Sequence, residues 1–256
     1  MLDEKLPLTT HLEELRKRLI VSLIAVVTGF SVSYFFKDQL FHVLTRPIEK
    51  HLPEGSTLQY IGVAEAFVTY LKLCLFSGLF LAMPVILFEA WRFVSPGLYN
   101  REKRYVIPFV LFTTMFFVGG AAFCYFFVFP FVFSFFMEFS DQSLRAMPAL
   151  QQYLAFVTHM LIAFGLVFEM PIIFFFLGRV GLVNYRWLAR QRRVAVVLIF
   201  VAAAVLTPGP DVASQLLLAG PLLVLFELSL QVVRITGRKP APEAEDSAEV
   251  SESPAG

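Results

Sequence analysis

Charge is scarce in this chain: Asp, Glu, Lys and Arg make up 16% of its 256 residues, and it has only two cysteines and two tryptophans. Cys74 and Cys124 fall in apolar runs without a C-x-x-C spacing, so they read as small buried hydrophobes, not as a redox pair or metal site. The chain has no H-E-x-x-H, no G-x-S-x-G and no glycine-rich phosphate loop. His11-Leu-Glu-Glu has no second histidine in register, and Asp211 is the only aspartate near a late apolar run. These absences argue against enzyme chemistry, and no metal or cofactor is expected. A net charge of +1 offers no general attraction to nucleic acid.

What the chain does have is apolar length. Uncharged stretches run Leu19–Phe36, Leu73–Phe88, Tyr105–Met137, Ala146–Phe168, Val194–Pro210 and Val212–Phe226. Crossing a bilayer takes roughly 20 mostly apolar residues, because each adds ~1.5 Å against ~30 Å of hydrocarbon. Six such runs, with 57% hydrophobic residues and 30 Phe, predict an all-α polytopic membrane protein with six transmembrane helices. A water-soluble fold is excluded. The first run follows a charged helix and lacks a small-x-small exit, so it is expected to be retained rather than cleaved.

Orientation follows from the basic residues, which concentrate on the cytoplasmic side of span ends. Sixteen of the 21 lie before the first run, after the second, after the fourth, and after the last. Only Lys37, Arg46, Lys50 and Arg145 fall on the other side, with Lys72 inside a span. Both termini are therefore expected in the cytoplasm. Residues 1–18 read as an amphipathic N-terminal helix, 19–236 as the six-span domain, and 237–256 as a disordered cytoplasmic tail rich in Pro, Ala, Ser and Glu. Thr10-His11-Leu12-Glu13 matches a capping box, Leu8, Leu12, Leu15 and Leu19 form one stripe, and Glu14/Arg18 is an i,i+4 pair.

Residues 37–65, with Pro47, Pro53 and Gly55, read as the largest exported loop. Tyr105–Met137 would measure ~50 Å as a helix and must tilt, break near Pro130 or project outward. Spans five and six are expected to be short. Pro84, Pro171 and Pro221 should kink three spans that run in the same direction, giving a curved wall with a concave face.

Carboxylates in costly positions are the candidate functional groups. Glu169 lies within a predominantly apolar region, where a bare carboxyl must be paired, protonated or wetted. It reads either as an interfacial partner of Arg179 or as a polar group facing a cavity or a partner helix. Glu227 and Lys72 are nearer span ends and can snorkel. Glu14 and Glu102 sit in strongly basic segments. They are either helix-surface ion pairs, worth under ~1 kcal/mol, or acceptors for a basic peptide.

Four motifs resemble the TatC subunit family of the twin-arginine protein translocase. They are His11-Leu-Glu-Glu-Leu-Arg-Lys-Arg-Leu19, Trp91-Arg-Phe-Val-Ser-Pro-Gly-Leu-Tyr99 with Glu102-Lys-Arg104, Phe164-Gly-x-x-Phe168-Glu-Met-Pro171, and Thr207-Pro-x-Pro-Asp-x-x-Ser-Gln215. The likeness spans about Leu8 to Arg234. Two departures are an extra Gly209 and Glu89, which stands where a neutral polar residue is common.

The resemblance implies a multi-pass protein of the bacterial inner membrane that receives Arg-Arg signal peptides of folded precursors. It implies work with the single-span subunits TatA and TatB, a homo-oligomeric receptor complex in membrane lipid, and use of the proton-motive force. By that resemblance Glu14 and Glu102 recognise the signal peptide, with Arg16, Phe93 and Arg104 shaping the patch. Pro47 and Asp211 fall in exported loops, while Glu169, Thr207 and Gln215 face the concave surface or partner helices. Two carboxylates suit two arginines, since a guanidinium pairs bidentately where lysine acts as a point charge. A secondary transporter or channel for small solutes is the alternative reading, and a purely structural scaffold is a third.

Overall fold

A computed structural model describes residues 8–52, 57–59, 62–94, 106–138, 148–206 and 212–236. Within them every regular element is a helix, with one isolated bridge between Gln59 and Ala149. Hydrocarbon cannot hydrogen-bond a peptide group, so a spanning segment must satisfy its own backbone.

The first helix, α1 (Leu8–Phe35), runs unbroken through the expected boundary at residues 18 and 19. Thr10 lies inside its first turn, so the capping-box reading is not the one adopted. Helix α2 (Lys37–Glu49) takes up the first 13 residues of the expected exported loop, and Pro47 is buried within it. The rest of the bundle is α3 (Glu65–Val94), α4 (Val106–Phe123), α5 (Phe129–Glu138), α6 (Leu150–Phe168), α7 (Met170–Val180), α8 (Tyr185–Arg190), α9 (Arg192–Leu206) and α10 (Val212–Thr236).

Among the described residues, five stretches are long and apolar enough to cross a membrane: Thr10–Phe35, Glu65–Phe93, Pro108–Glu138, Leu150–Arg179 and Leu218–Thr236. Helix α9, with 15 residues, spans only about 22 Å and falls short, in keeping with the short fifth run. The sixth run is not short: α10 has 25 residues and passes straight through Glu227. That charge does not stop the helix, because Glu227 pairs with Arg192 at 2.9 Å on a half-exposed surface.

The long third run is interrupted by a π-helical turn, Cys124–Val128, just before Pro130. A proline removes one N–H and crowds the carbonyl four residues back, and a π turn is one way to accommodate both. Pro84 and Pro221 lie inside continuous helices, whereas Pro171 marks a true break between α6 and α7.

Two glycine contacts set the helix spacing. A Cβ on Gly29 would lie 2.4 Å from the Gly78 carbonyl oxygen, and one on Gly78 would lie 2.4 Å from the Phe30 nitrogen. Backbones of α1 and α3 therefore touch directly, the close approach that small residues permit in membranes. On the other side, a Cβ on Gly120 of α4 would sit 2.5 Å from the Phe164 carbonyl oxygen of α6, and Gly165 is covered by the Phe117 ring. The main core fills the space among α3 to α6 with Leu73, Phe117, Phe129, Val157, Met160 and Phe164. Large exposed apolar residues such as Leu23, Ile24, Leu111, Phe112, Val197 and Val201 form the surface that lipid covers.

Helix α2 is tied down by its own proline. Pro47 cannot donate to the carbonyl of Val43, and the Tyr125 hydroxyl, presented by the π turn, donates to that carbonyl at 2.7 Å. Tyr153 of α6 donates to the Leu44 carbonyl at 2.7 Å. At the same end, Leu150 N–H donates to the Gln59 carbonyl at 2.8 Å. The Glu65 carboxylate accepts from Gly62 N–H at 3.0 Å and from Gln151 N–H at 3.3 Å. One carboxylate thereby serves the N-termini of α3 and α6, where it suits the helix dipole.

Candidate functional site

The glycine contact between α1 and α3 brings their opposite ends, Glu14 and Glu89, to the same guanidinium. Glu14 and Arg18 lie one turn apart on α1 and form an ion pair through Arg18 Nη2. Arg18 Nη1 donates to Glu89 Oε2 of α3 at 3.1 Å. Arg18 thus straddles two carboxylates on two helices, with only 13% of its side chain exposed. Glu89 is itself buried, and Arg18 Nε is buried without a hydrogen-bond acceptor among the described residues. Phe93, one turn beyond Glu89, stacks on His11 at 4.4 Å between ring centroids, and His11 lies three residues before Glu14. Arg92 lies within electrostatic reach of Glu14, its guanidinium 6.0 Å from the Phe88 ring.

Glu14 and Phe93 are therefore brought into one cluster, as the motifs suggest. Arg16 is not: it is exposed two residues along α1, about 200° round the helix, beside a groove formed by Leu12, Leu15, Leu19, Ile20 and Leu23. Glu102 and Arg104 lie outside the described residues, as do Thr207 and Asp211. The structure adds Glu89. Its charge was visible in the sequence, but its contact with Arg18 joins residues 71 positions apart.

Glu169 occupies the break between α6 and α7. Its N–H donates to the Leu166 carbonyl at 3.1 Å, and its own carbonyl accepts from Ile173 N–H at 2.9 Å. Pro171 leaves the Val167 carbonyl without its helical donor. The residue is 4% exposed, and its Oε1 has no hydrogen-bond partner among the described residues. Arg179 is exposed, and no ion pair to Glu169 forms among the described residues. The Arg179-paired alternative is thereby removed.

Gln215, in the first turn of α10, donates through Nε2 to the Phe200 carbonyl of α9 at 2.8 Å. Its amide donor thereby joins two helices of this chain. Pro47 lies in the buried face of α2, not in a loop.

A family model described as Sec-independent protein translocase protein (TatC) matches residues 10–221. The chain is 46% identical to a TatC of Desulforapulum autotrophicum over 98% of its own length and 92% of that protein. It is 41% identical to a TatC of Campylobacter jejuni, covering 94% of this chain and 98% of the relative. A crystal structure of the twin-arginine translocase receptor TatC superposes with a TM-score of 0.81 at 38% identity, covering 89% of this chain and all of that one. The order of helices, the apolar spans and the Glu14 and Glu169 motifs thus converge on one assignment. The chain belongs to the TatC family of Sec-independent protein translocase proteins, integral proteins of the inner membrane whose work is transport and not enzyme catalysis.

Proposed function

We propose that this chain is the signal-peptide receptor of a twin-arginine translocation complex. It binds the paired arginines of folded precursors at the Glu14 end, with Glu102 as the second acceptor and Phe93 and Arg104 bounding the patch. Arg16, on the far side of α1, has no part in that acceptor pair. In this reading the chain crosses the membrane six times, with both termini and the Glu14 end in the cytoplasm. It nucleates assembly with TatA and TatB, and with further copies of itself, for export driven by the proton-motive force.

The observation that carries the reading is the Glu14–Arg18–Glu89 contact, an acidic site already fitted to a guanidinium. Charge-assisted bonds of this kind are worth ~1.5–3 kcal/mol, enough for roughly tenfold or greater preference for arginine over a lysine that meets one acceptor. Glu169, Thr207 and Gln215 serve partner helices. Glu169 meets a substrate-dependent contact, and Gln215 a resting one.

Binding of a labelled Arg-Arg signal peptide to the purified protein, against a Lys-Lys control, tests the reading. At least tenfold tighter binding of the Arg-Arg peptide is expected; equal binding of the two would overturn it.

A further inference from the structure

Arg18 occupies the very kind of site that the proposed function assigns to an arriving arginine. It is the resident guanidinium, and it contacts Glu14 with one terminal nitrogen and Glu89 with the other. Resting on that reading, we infer that Arg18 is an internal stand-in for a signal-peptide arginine, and that Glu89 is the positioning residue that lets it step aside. When a precursor arginine takes Glu14, Arg18 gives up that contact and remains paired with Glu89.

The burial of these groups carries the argument. Arg18 is mostly enclosed, and among the described residues its Nε finds no acceptor and its counter-charges are the two carboxylates. Were Glu14 its single counter-charge, surrendering Glu14 to a ligand would strand a buried cation, which is strongly disfavoured. Glu89 removes that obstacle, because it is buried against the same guanidinium and held on a different helix. The Gly29–Gly78 contact fixes the spacing of α1 and α3, so Glu89 stays within reach when Glu14 is withdrawn. Arg92 and His11 lie nearby, but neither a guanidinium nor an imidazole carries negative charge, so neither can replace Glu89 as a counter-charge.

The exchange also sharpens selectivity. An incoming residue must displace a guanidinium from Glu14, and a second guanidinium can do so bond for bond. A lysine ammonium lacks the planar fork and competes poorly for the same oxygens. Glu89 itself need never touch the peptide: it acts through Arg18.

The test uses the full chain in lipid nanodiscs, with labelled Arg-Arg and Lys-Lys signal peptides and four proteins: wild type, Glu89→Gln, Arg18→Gln and the double variant. Glu89→Gln confines Arg18 to Glu14 and should weaken Arg-Arg binding about tenfold. Removing Arg18 as well frees Glu14, and the double variant should return to within about threefold of wild type. Arg18→Gln alone should bind Arg-Arg peptide several-fold more tightly and discriminate less well against Lys-Lys. Thermal unfolding of the same proteins separates an exchange role from a merely structural one: Arg18→Gln, which leaves buried Glu89 unpaired, should be less stable than wild type yet bind Arg-Arg peptide more tightly, whereas a structural role makes the least stable variant the weakest binder. Unchanged binding in Glu89→Gln, or a double variant as weak as the single, overturns the inference. A wild-type protein that does not distinguish the two peptides overturns the receptor reading instead.

Discussion

Two carboxylates of this protein have opposite surroundings. Glu14 stands at a helix end with a guanidinium bound to it, and that guanidinium is shared with a second acid on a neighbouring helix. Glu169 sits in a broken span, almost fully enclosed, with one oxygen that has no hydrogen-bond partner among the described residues. The first site has a matched internal partner and is therefore suited to exchanging one arginine for another. The second has unmet hydrogen-bonding capacity in a place where that is expensive, and is suited to a contact supplied from outside. Recognition and assembly thus draw on two different physical resources.

The sharpest way to break the comparison is to remove the guanidinium. Arg18→Gln leaves buried Glu89 without a counter-charge and should cost about 3 kcal/mol of stability. Thermal unfolding in detergent would read this, and added Arg-Arg peptide should recover part of the loss. An unchanged midpoint would mean that the straddled pair contributes nothing.

Next in size is Glu14→Gln. It removes a charged acceptor and should weaken Arg-Arg peptide binding by about 10- to 100-fold, measured by fluorescence anisotropy. The clamp on α2 offers a yardstick from ordinary neutral hydrogen bonding. Tyr153→Phe should lower stability by about 1 kcal/mol, and Tyr125→Phe by no more, in denaturant or thermal titrations. Losses well above that would place the true structural centre at α2 and not at the ionic site.

The smallest effect is expected at the other pole of the comparison. Glu169→Gln removes a charge that forms no ion pair among the described residues, so the melting temperature should stay the same or rise slightly. A marked fall would reveal an internal partner and collapse the contrast. Crosslinking completes the test: a photoreactive residue at 169 should capture partner or signal-peptide chains only with substrate present, while one at 215 should do so without it. Equal, substrate-independent yields would erase the difference between the two positions.

Much of this was legible in residue order. The apolar runs gave an all-helical membrane fold, and the motifs pointed to the family. The Glu14/Arg18 pair could be read from its spacing of four. The Arg18–Glu89 contact could not, because helix periodicity says nothing about which helices touch. Splitting the chain at every charge shortened α10 and α3, although Glu227 is paired at the surface and Lys72 is exposed. Pro47 and its neighbours suggested a loop, yet α2 forms because partners elsewhere satisfy the carbonyls around the proline. Pro130 marked the place of the third-span irregularity but not its form, since sequence alone does not choose between a kink and a π turn.

That π turn links this geometry to how such a chain can change over generations. A turn with one surplus residue is what a single-codon insertion into a regular helix would leave behind. Deleting one residue between Cys124 and Val128 would restore an ordinary helix and rotate everything beyond it by about 100° relative to everything before. Tyr125 and Phe129 would then no longer point as they do toward α2 and the core. Substitutions along α4 and α5 can be absorbed one side chain at a time, but a change of length there acts on a whole helical face at once. This stretch should therefore tolerate drift in composition far better than drift in count.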